Sequence, residues 1–150
     1  MIYTAQNPVW NRKVISEMLA ALSTVPLAAL LTAPKVRLLG SAISIDQDTP
    51  MSALTSAEAT YTGYVAVALP ALVGPVNSVP GMEALFGSVS FVAPSPLTVT
   101  GILYGYFVDG VAGATWAIAE SFPSPFPFAL PGDFLDLDLL LGLYFQNRVS

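Results

Sequence analysis

The sequence predicts a mainly β protein, an antiparallel, jelly-roll-like β-sandwich with an N-terminal helical extension. Three observations lead to this fold class. The chain has 150 residues, a length typical of one compact domain. From residue 35 onward, short runs rich in β-branched and aromatic residues are separated by clusters of Gly and Pro, which are typical of turns. In the last run, residues 134–145, leucines alternate with Asp136 and Asp138, as in a strand with one buried and one solvated face.

The N-terminal region differs in pattern from the rest of the chain. Its first ten residues lack periodicity and predict an extended arm. From Asn11, a plausible N-cap, apolar residues recur at helical spacing, and we expect a helix that Pro26 interrupts and Pro34 ends. The predicted organisation is therefore an arm and apolar helix at residues 1–34, followed by a β-sandwich domain at residues 35–150.

The predicted strands share alternating polarity or an enrichment in β-branched and aromatic residues. They cover residues 35–39, 43–45, 61–69, 87–92, 97–108, 115–122 and 134–145. The segment 122–128 is different, because its alternating prolines disfavour ladder pairing and favour an extended, polyproline-like path. Such a rigid aromatic segment is either a contact surface or a crossover packed on its own domain, and the sequence favours neither.

The composition excludes several classes of partner. The chain is 54% hydrophobic and only 10% charged, with a net charge of −5, whereas soluble domains carry about 25% charged residues. Much of the surface must therefore be apolar, and large apolar patches mark interfaces. With only 5 basic residues we expect no nucleic-acid partner. The longest apolar stretch, residues 14–33, contains Glu17 and Pro26 and makes a poor membrane span, so we expect no membrane partner either.

The missing residue types also limit the chemistry. The chain has no Cys and no His, which excludes thiol nucleophiles, imidazole bases and ordinary zinc sites. We therefore expect no enzymatic activity, no cofactor and no metal. Asp136 and Asp138 share a strand face at a spacing within the range that glycosidases use, but a solvated outer strand explains them more simply. Asp46 and Asp48 lack the spacing of an EF-hand, so loop solvation is the better interpretation.

The candidate contact residues are large apolar side chains of the arm, the helix and the proline-rich segment. An amphipathic helix can bury its apolar face on its own domain or on a neighbouring subunit. A rigid extended segment loses little entropy when it docks. The candidates are Trp10, Met18, Leu19, Leu22, Leu27, Leu30, Phe126 and Phe128.

Five ordered motifs resemble small bacteriophage-encoded virion proteins. They are K-V-R-L at 35–38, S-A-E-A-T-Y-T-G-Y at 56–64, I-L-Y-G-Y-F-V at 102–108, W-A-I-A-E-S-F at 116–122 and P-G-D-F-L at 131–135. The resemblance covers about residues 35–140 and implies a virion component, without assigning any catalytic residue. Glu120, in the fourth motif, needs a partner if it is buried, and Arg37 of the first motif is a candidate.

The resemblance and the low charge together favour a capsid cement or decoration protein. Such a protein is located in the virion and binds the outside of the shell as a homo-oligomer, here expected to be a homotrimer, in contact with other virion proteins such as the major capsid protein. The alternative is a tail- or fibre-associated module that binds a host glycan through its aromatic side chains. An enzyme that cleaves glycans with Asp136 and Asp138 ranks last.

Overall fold

The computed structural model describes residues 1–4, 9–13, 33–70, 73–78, 81–95, 101–111 and 115–144. Its elements are β1 (Ile2–Thr4), β2 (Val9–Trp10), β3 (Lys35–Leu39), α1 (Met51–Ser56), β4 (Val67–Ala68), β5 (Val73–Ser78), β6 (Gly81–Val92), β7 (Gly101–Val111), β8 (Thr115–Phe128) and β9 (Phe134–Tyr144). They form a four-stranded sheet of order β1-β9-β6-β5 and a five-stranded sheet of order β2-β8-β7-β3-β4. The prediction of a mainly β protein with antiparallel sheets is confirmed.

The first ten residues, predicted as an extended arm, contribute one short strand to each sheet. β1 pairs with β9 in parallel, with Thr4 opposite Asp138. β2 pairs with β8 antiparallel, with Trp10 opposite Ile118. The other pairs of described strands are antiparallel, and they include the two local hairpins β5–β6 and β7–β8. The N-terminal arm therefore occupies one edge of the four-stranded sheet and one edge of the five-stranded sheet.

The larger buried cluster draws its side chains from both sheets, so the two sheets share one core. The members include Val36, Leu38, Tyr106 and Phe128 of the five-stranded sheet and Val89, Phe91, Leu135 and Leu137 of the four-stranded sheet. Burial of each large aliphatic or aromatic side chain contributes about 1.5–3 kcal/mol. In β9, Leu135, Leu137 and Leu139 face this core and the aspartates face away from it, as the alternating pattern predicted.

A second cluster lies on the opposite face of the five-stranded sheet. Leu39 and Phe107 belong to it, while their chain neighbours Leu38 and Tyr106 belong to the shared core, because successive strand residues point to opposite faces. α1 covers this face with Leu54, and the indole N–H of Trp116 donates to the carbonyl oxygen of Thr49 at 2.6 Å. The central part of the five-stranded sheet is therefore buried on both faces.

The proline-rich segment is part of β8, which corrects the expectation that it would follow a path outside the ladder. Phe126 and Phe128 lie opposite Leu103 and Gly101, while residues 122–125 bulge at a register shift. An antiparallel ladder needs donors only from alternate residues on each side, and the prolines occupy every second position. The positions without an N–H group therefore lie on one side of β8 or in the bulge, where proline is tolerated.

Other predicted elements also differ from the structure. Of the strand predicted at 61–69, only Val67–Ala68 is a strand, because a turn with Gly63 at φ 82° interrupts it. No strand forms at 43–45, whereas β5 and α1 were not predicted. Helical backbone is described at Arg12 and Lys13, and there is no clear N-terminal helix. Residues 14–32, on which most of that predicted helix falls, lie outside the described residues.

Gly105 lies where β7 and β8 approach most closely. A Cβ atom at this position would collide with the carbonyl oxygen of Glu120 and lie 3.0 Å from the Cα atom of Ser121. Both neighbours are backbone atoms, so they cannot move aside without separating the two strands. The close pairing of β7 with β8 therefore depends on the absence of a side chain at Gly105.

We expect Gly105→Ala to lower the free energy of unfolding by about 3 kcal/mol, because overpacking at fixed backbone distorts the ladder. Urea denaturation measures this loss. Gly101→Ala on the same strand is the matched control, since its Cβ would meet a side chain rather than backbone, the ring of Tyr61 at 3.3 Å, and a shift of a few tenths of an ångström relieves that contact. An equal loss in the two variants would show that the approach at Gly105 is not the cause.

Candidate functional site

A charged network connects β3, β7 and the segment that follows α1. Nη1 of Arg37 donates to both carboxylate oxygens of Glu58, at 2.9 and 3.1 Å, and Nε of Arg37 donates to Asp109. The side chains of Arg37, Glu58 and Asp109 are 27%, 16% and 14% exposed. The suggested pairing of Arg37 with Glu120 is thus corrected, because Arg37 points to the face of β3 away from the shared core.

Tyr64 extends this network to the main chain. Its hydroxyl donates to Oε1 of Glu58 at 3.0 Å and accepts the N–H of Leu38 at 2.9 Å. Burial acts to lower the pKa of Arg37, but the hydrogen bonds and charges of Asp109 and Glu58 together raise it. Burial also raises the pKa of Tyr64, with the negative charge of Glu58 acting in the same direction. The network therefore holds a permanent guanidinium ion and a neutral phenol.

Glu120 is buried in the neighbourhood of the shared core. It accepts a hydrogen bond from the hydroxyl of Tyr106, its cross-strand neighbour, at 3.1 Å. A tyrosine hydroxyl thus contributes to satisfying a carboxyl group that burial would otherwise penalise.

An open cleft of about 500 Å³ lies beside the charged network. Glu58 and Tyr61 line it together with the hydroxyl-bearing residues Ser41, Ser56 and Thr60, and Ile102 supplies an apolar wall. Burial raises the pKa of Tyr61 to about 12, so its phenol is neutral and can both donate and accept a hydrogen bond. We call this feature the Tyr61 cleft.

The face of the four-stranded sheet that points away from the shared core has a different character. Ser88 is opposite Asp138, Ser90 is opposite Asp136, and Val92 is opposite Phe134. Each serine hydroxyl donates to its partner carboxylate. Val92 and Phe134 are 59% and 47% exposed. We call these six side chains the outer face, and none of the described residues covers it as α1 covers the five-stranded sheet.

Every carboxylate side chain that the structure describes accepts a hydrogen bond from its own chain. Asp46 accepts from the hydroxyl of Thr49 at 3.0 Å and from the N–H of Asp48 at 2.9 Å. Asp133 accepts the N–H groups of Ala129 and Leu130 at 2.8 and 2.7 Å, which stabilises the turn before β9. Within the described part of the chain, no group of three acidic side chains is arranged to hold a metal ion.

The predicted contact residues lie in different environments. Trp10 and Phe126 are partly buried against the shared core, and Phe128 is fully buried within it. Met18, Leu19, Leu22, Leu27 and Leu30 lie outside the described residues. The proposed contact role of this set stays a prediction, although Phe128 has no exposed surface in this chain.

Sequence reasoning did not single out the exposed pair of the outer face. Phe134 has the same parity as Asp136 and Asp138, so the alternation of β9 already placed it on the solvated side. In β6, Val92 likewise lies an even number of residues from Ser88 and Ser90, so it shares their solvated side. The pairing of the two strands, which brings Val92 beside Phe134, was not evident from the sequence.

No protein-family model, curated protein or solved structure matches the chain. The resemblance to bacteriophage virion proteins therefore stays a prediction based on the ordered motifs. In the part of the chain that the structure describes, no helix has the length and apolarity needed to cross a membrane.

The network predicts a large difference between two arginines. We expect Arg37→Met to lower the free energy of unfolding by about 2 kcal/mol or more, because it leaves two half-buried carboxylates without their cation. Arg12→Met is the matched control, since Arg12 and Asp48 form an ion pair at 2.8 Å with side chains 68% and 66% exposed. That loss should stay below about 0.5 kcal/mol. Urea denaturation of both variants measures the difference, and equal losses would contradict it.

The raised pKa of Tyr61 predicts a loss of stability in alkali. Below its ordinary pKa of 10, the phenol is protonated in both the folded and the unfolded chain, so its full contribution to folding stability is present there. Between pH 10 and about 12 the unfolded chain loses this proton while the folded chain keeps it, and stability falls. We expect Tyr61→Phe to show a shallower decline than the unchanged chain in urea denaturation from pH 9 to 12. Parallel curves would contradict this effect.

Proposed function

We propose that the protein is a structural component of a bacteriophage particle, a cement or decoration protein that binds the outside of the capsid shell. The observation that carries this proposal is the outer face, on which an exposed apolar pair lies beside two hydrogen-bonded Ser–Asp pairs. An apolar patch next to fixed polar groups is typical of a surface that docks on another protein. In this proposal the outer face contacts the shell.

The proposed architecture is a β-sandwich with jelly-roll-like organisation. Its support is the larger buried cluster, to which both sheets contribute. A sandwich of two sheets is a rigid scaffold for a surface protein, because its core is closed by side chains of both layers. Among the described residues, α1 covers the five-stranded sheet, so the outer face of the four-stranded sheet is the one left open for docking.

A structural rather than enzymatic role is supported by the carboxylates. Each one described is engaged by a donor of its own chain, either an arginine, a hydroxyl group or a main-chain N–H. Catalytic acids and bases need an accessible position and a partner that tunes proton transfer. Asp136 and Asp138, the pair considered for glycan cleavage, are instead held by Ser90 and Ser88.

The proposed assembly is a homotrimer in contact with the major capsid protein. The N-terminal arm supports an assembly role, because it reaches an edge of each sheet through short strands. Such edge strands pair through main-chain hydrogen bonds, which a neighbouring chain can also supply. Repeated weak contacts by a symmetric oligomer add up to stable attachment.

We expect Phe134→Ser to weaken attachment to capsid shells at least about tenfold, because it removes a large apolar side chain from the contact. The measurement is co-sedimentation of the purified chain with shells that lack it. Val65→Ser is the matched control, since Val65 is also strongly exposed but precedes β4 of the other sheet. Both variants must keep the same thermal unfolding midpoint.

Two results would contradict the decoration role. One is equal attachment of Phe134→Ser, Val65→Ser and the unchanged chain, and the other is localisation of the protein to the tail alone in electron cryomicroscopy of whole particles. Light scattering of the isolated chain tests the trimer separately, because a trimer has three times the mass of the chain. A monomeric mass would contradict the proposed assembly.

The alternative proposal is a tail- or fibre-associated module that binds a host glycan. The proline-rich segment was expected to carry this role, but Phe128 is buried and Phe126 is partly buried. The Tyr61 cleft is the feature that favours the alternative, because it joins an aromatic side chain to several hydroxyl groups and a carboxylate.

A further inference from the structure

Glu58 retains unused hydrogen-bonding capacity at the Tyr61 cleft. Its Oε1 accepts from both Nη1 of Arg37 and the hydroxyl of Tyr64, which uses the two lone pairs of that oxygen. Its Oε2 accepts only from Arg37, at 3.1 Å, among the described residues. One acceptor position on Oε2 therefore remains for a donor from outside the chain. Arg37 and Tyr64 hold the carboxylate in place, so little entropy is lost when such a donor binds.

Tyr61 supplies the second fixed group. Phe128 contacts its ring edge to face at a centroid distance of 5.5 Å, and the ring of Tyr64 lies 5.3 Å away. These contacts restrict the ring, while its hydroxyl has no hydrogen-bond partner among the described residues. Since no buried polar side-chain atom in the described part of the chain lacks a partner, this hydroxyl must be accessible to solvent. It offers one donor and an acceptor to a ligand.

The charge of the cleft limits the chemistry of that ligand. Arg37 bonds Glu58 and Asp109 and is not among the residues that line the cleft, so it does not present its charge there to a phosphate or a carboxylate. It also offsets the negative charge that Glu58 would otherwise present to a cation. What remains is a set of neutral hydroxyl groups, one open acceptor on Glu58, and the apolar surfaces of Tyr61 and Ile102.

We propose that the Tyr61 cleft binds a neutral saccharide. A sugar ring offers hydroxyl groups that donate to Oε2 of Glu58 and exchange hydrogen bonds with Tyr61, Ser41 and Thr60. Its C–H groups pack against the aromatic and aliphatic walls, since the face of an aromatic ring carries negative charge density. A cleft of about 500 Å³ has the size of a small-molecule site, and its hydroxyl-rich lining suits a ligand as polar as a sugar.

This site gives the glycan-binding alternative a location, and it does not rest on the decoration role. The Tyr61 cleft is built from the residues that follow β3, from the segment after α1 and from the start of β7, whereas the outer face belongs to β6 and β9. The two surfaces therefore lie on different sheets. A single protein can carry both, and each can fail without the other.

The test uses the purified full chain on an array of neutral, sialylated and sulfated oligosaccharides, followed by calorimetric titration of the best neutral ligand. Ser41→Trp places a bulky side chain at an exposed position of the cleft and should abolish binding. Tyr61→Phe keeps the ring but removes the hydroxyl, and we expect affinity to fall about fivefold. Tyr104→Phe, outside the cleft, is the matched control and should bind as the unchanged chain does.

Three results would overturn the proposal. They are a folded chain that binds no neutral oligosaccharide on the array, binding of anionic oligosaccharides alone, and neutral binding that survives Ser41→Trp. Near-ultraviolet circular dichroism confirms that each variant is folded. Phe134→Ser should bind the oligosaccharide normally, and Ser41→Trp should attach to capsid shells normally. Failure of this proposal is thereby distinguished from failure of the decoration role.

Discussion

The bridge from the guanidinium of Arg37 to Glu58 and Asp109 is the interaction on which the rest of the structure depends. It fixes the segment after α1 to β3 and β7 of the five-stranded sheet, and the N–H of Ala59 there donates to the carbonyl oxygen of Leu38 in β3 at 2.8 Å. This attachment holds α1 over the second core cluster and brings Glu58 to the wall of the Tyr61 cleft. One ion network thus positions both the cover of a sheet and the candidate binding site.

The low charge of the chain is explained by its two cores. A sheet with one solvated face alternates apolar and polar residues, whereas a sheet buried on both faces needs nearly continuous apolar strands. β7 and the first half of β8 have this continuous pattern, because the shared core lies on one side and α1 on the other. High hydrophobicity therefore has an internal cause here, and the exposed apolar pair of the outer face is a separate observation that an internal core does not explain.

The sequence predicted the elements whose pattern reports burial directly. Strand β9 was recognised because its leucines and aspartates alternate, and β3 because its apolar and basic residues do. Residues 61–66 were misassigned because aromatic residues there pack on the core from a turn. The proline-rich part of β8 was misassigned because its prolines lack N–H groups only at every second position, and a ladder on one side of a strand needs N–H groups only from alternate residues. The sequence does not show which side of the strand is unpaired and can therefore accept proline.

The candidate site was beyond sequence reasoning for a related reason. Glu58 and Asp109 follow Arg37 in the chain by 21 and 72 residues, so only strand pairing brings the three side chains together. Once they meet, the guanidinium offsets one of the two negative charges, and the remaining Glu58 acceptor is presented to the Tyr61 cleft in a fixed direction. A carboxylate that is already held by a guanidinium recognises a neighbouring molecule through a directed lone pair. Its specificity is then for the position of a donor group, which is the property that distinguishes one sugar hydroxyl from another.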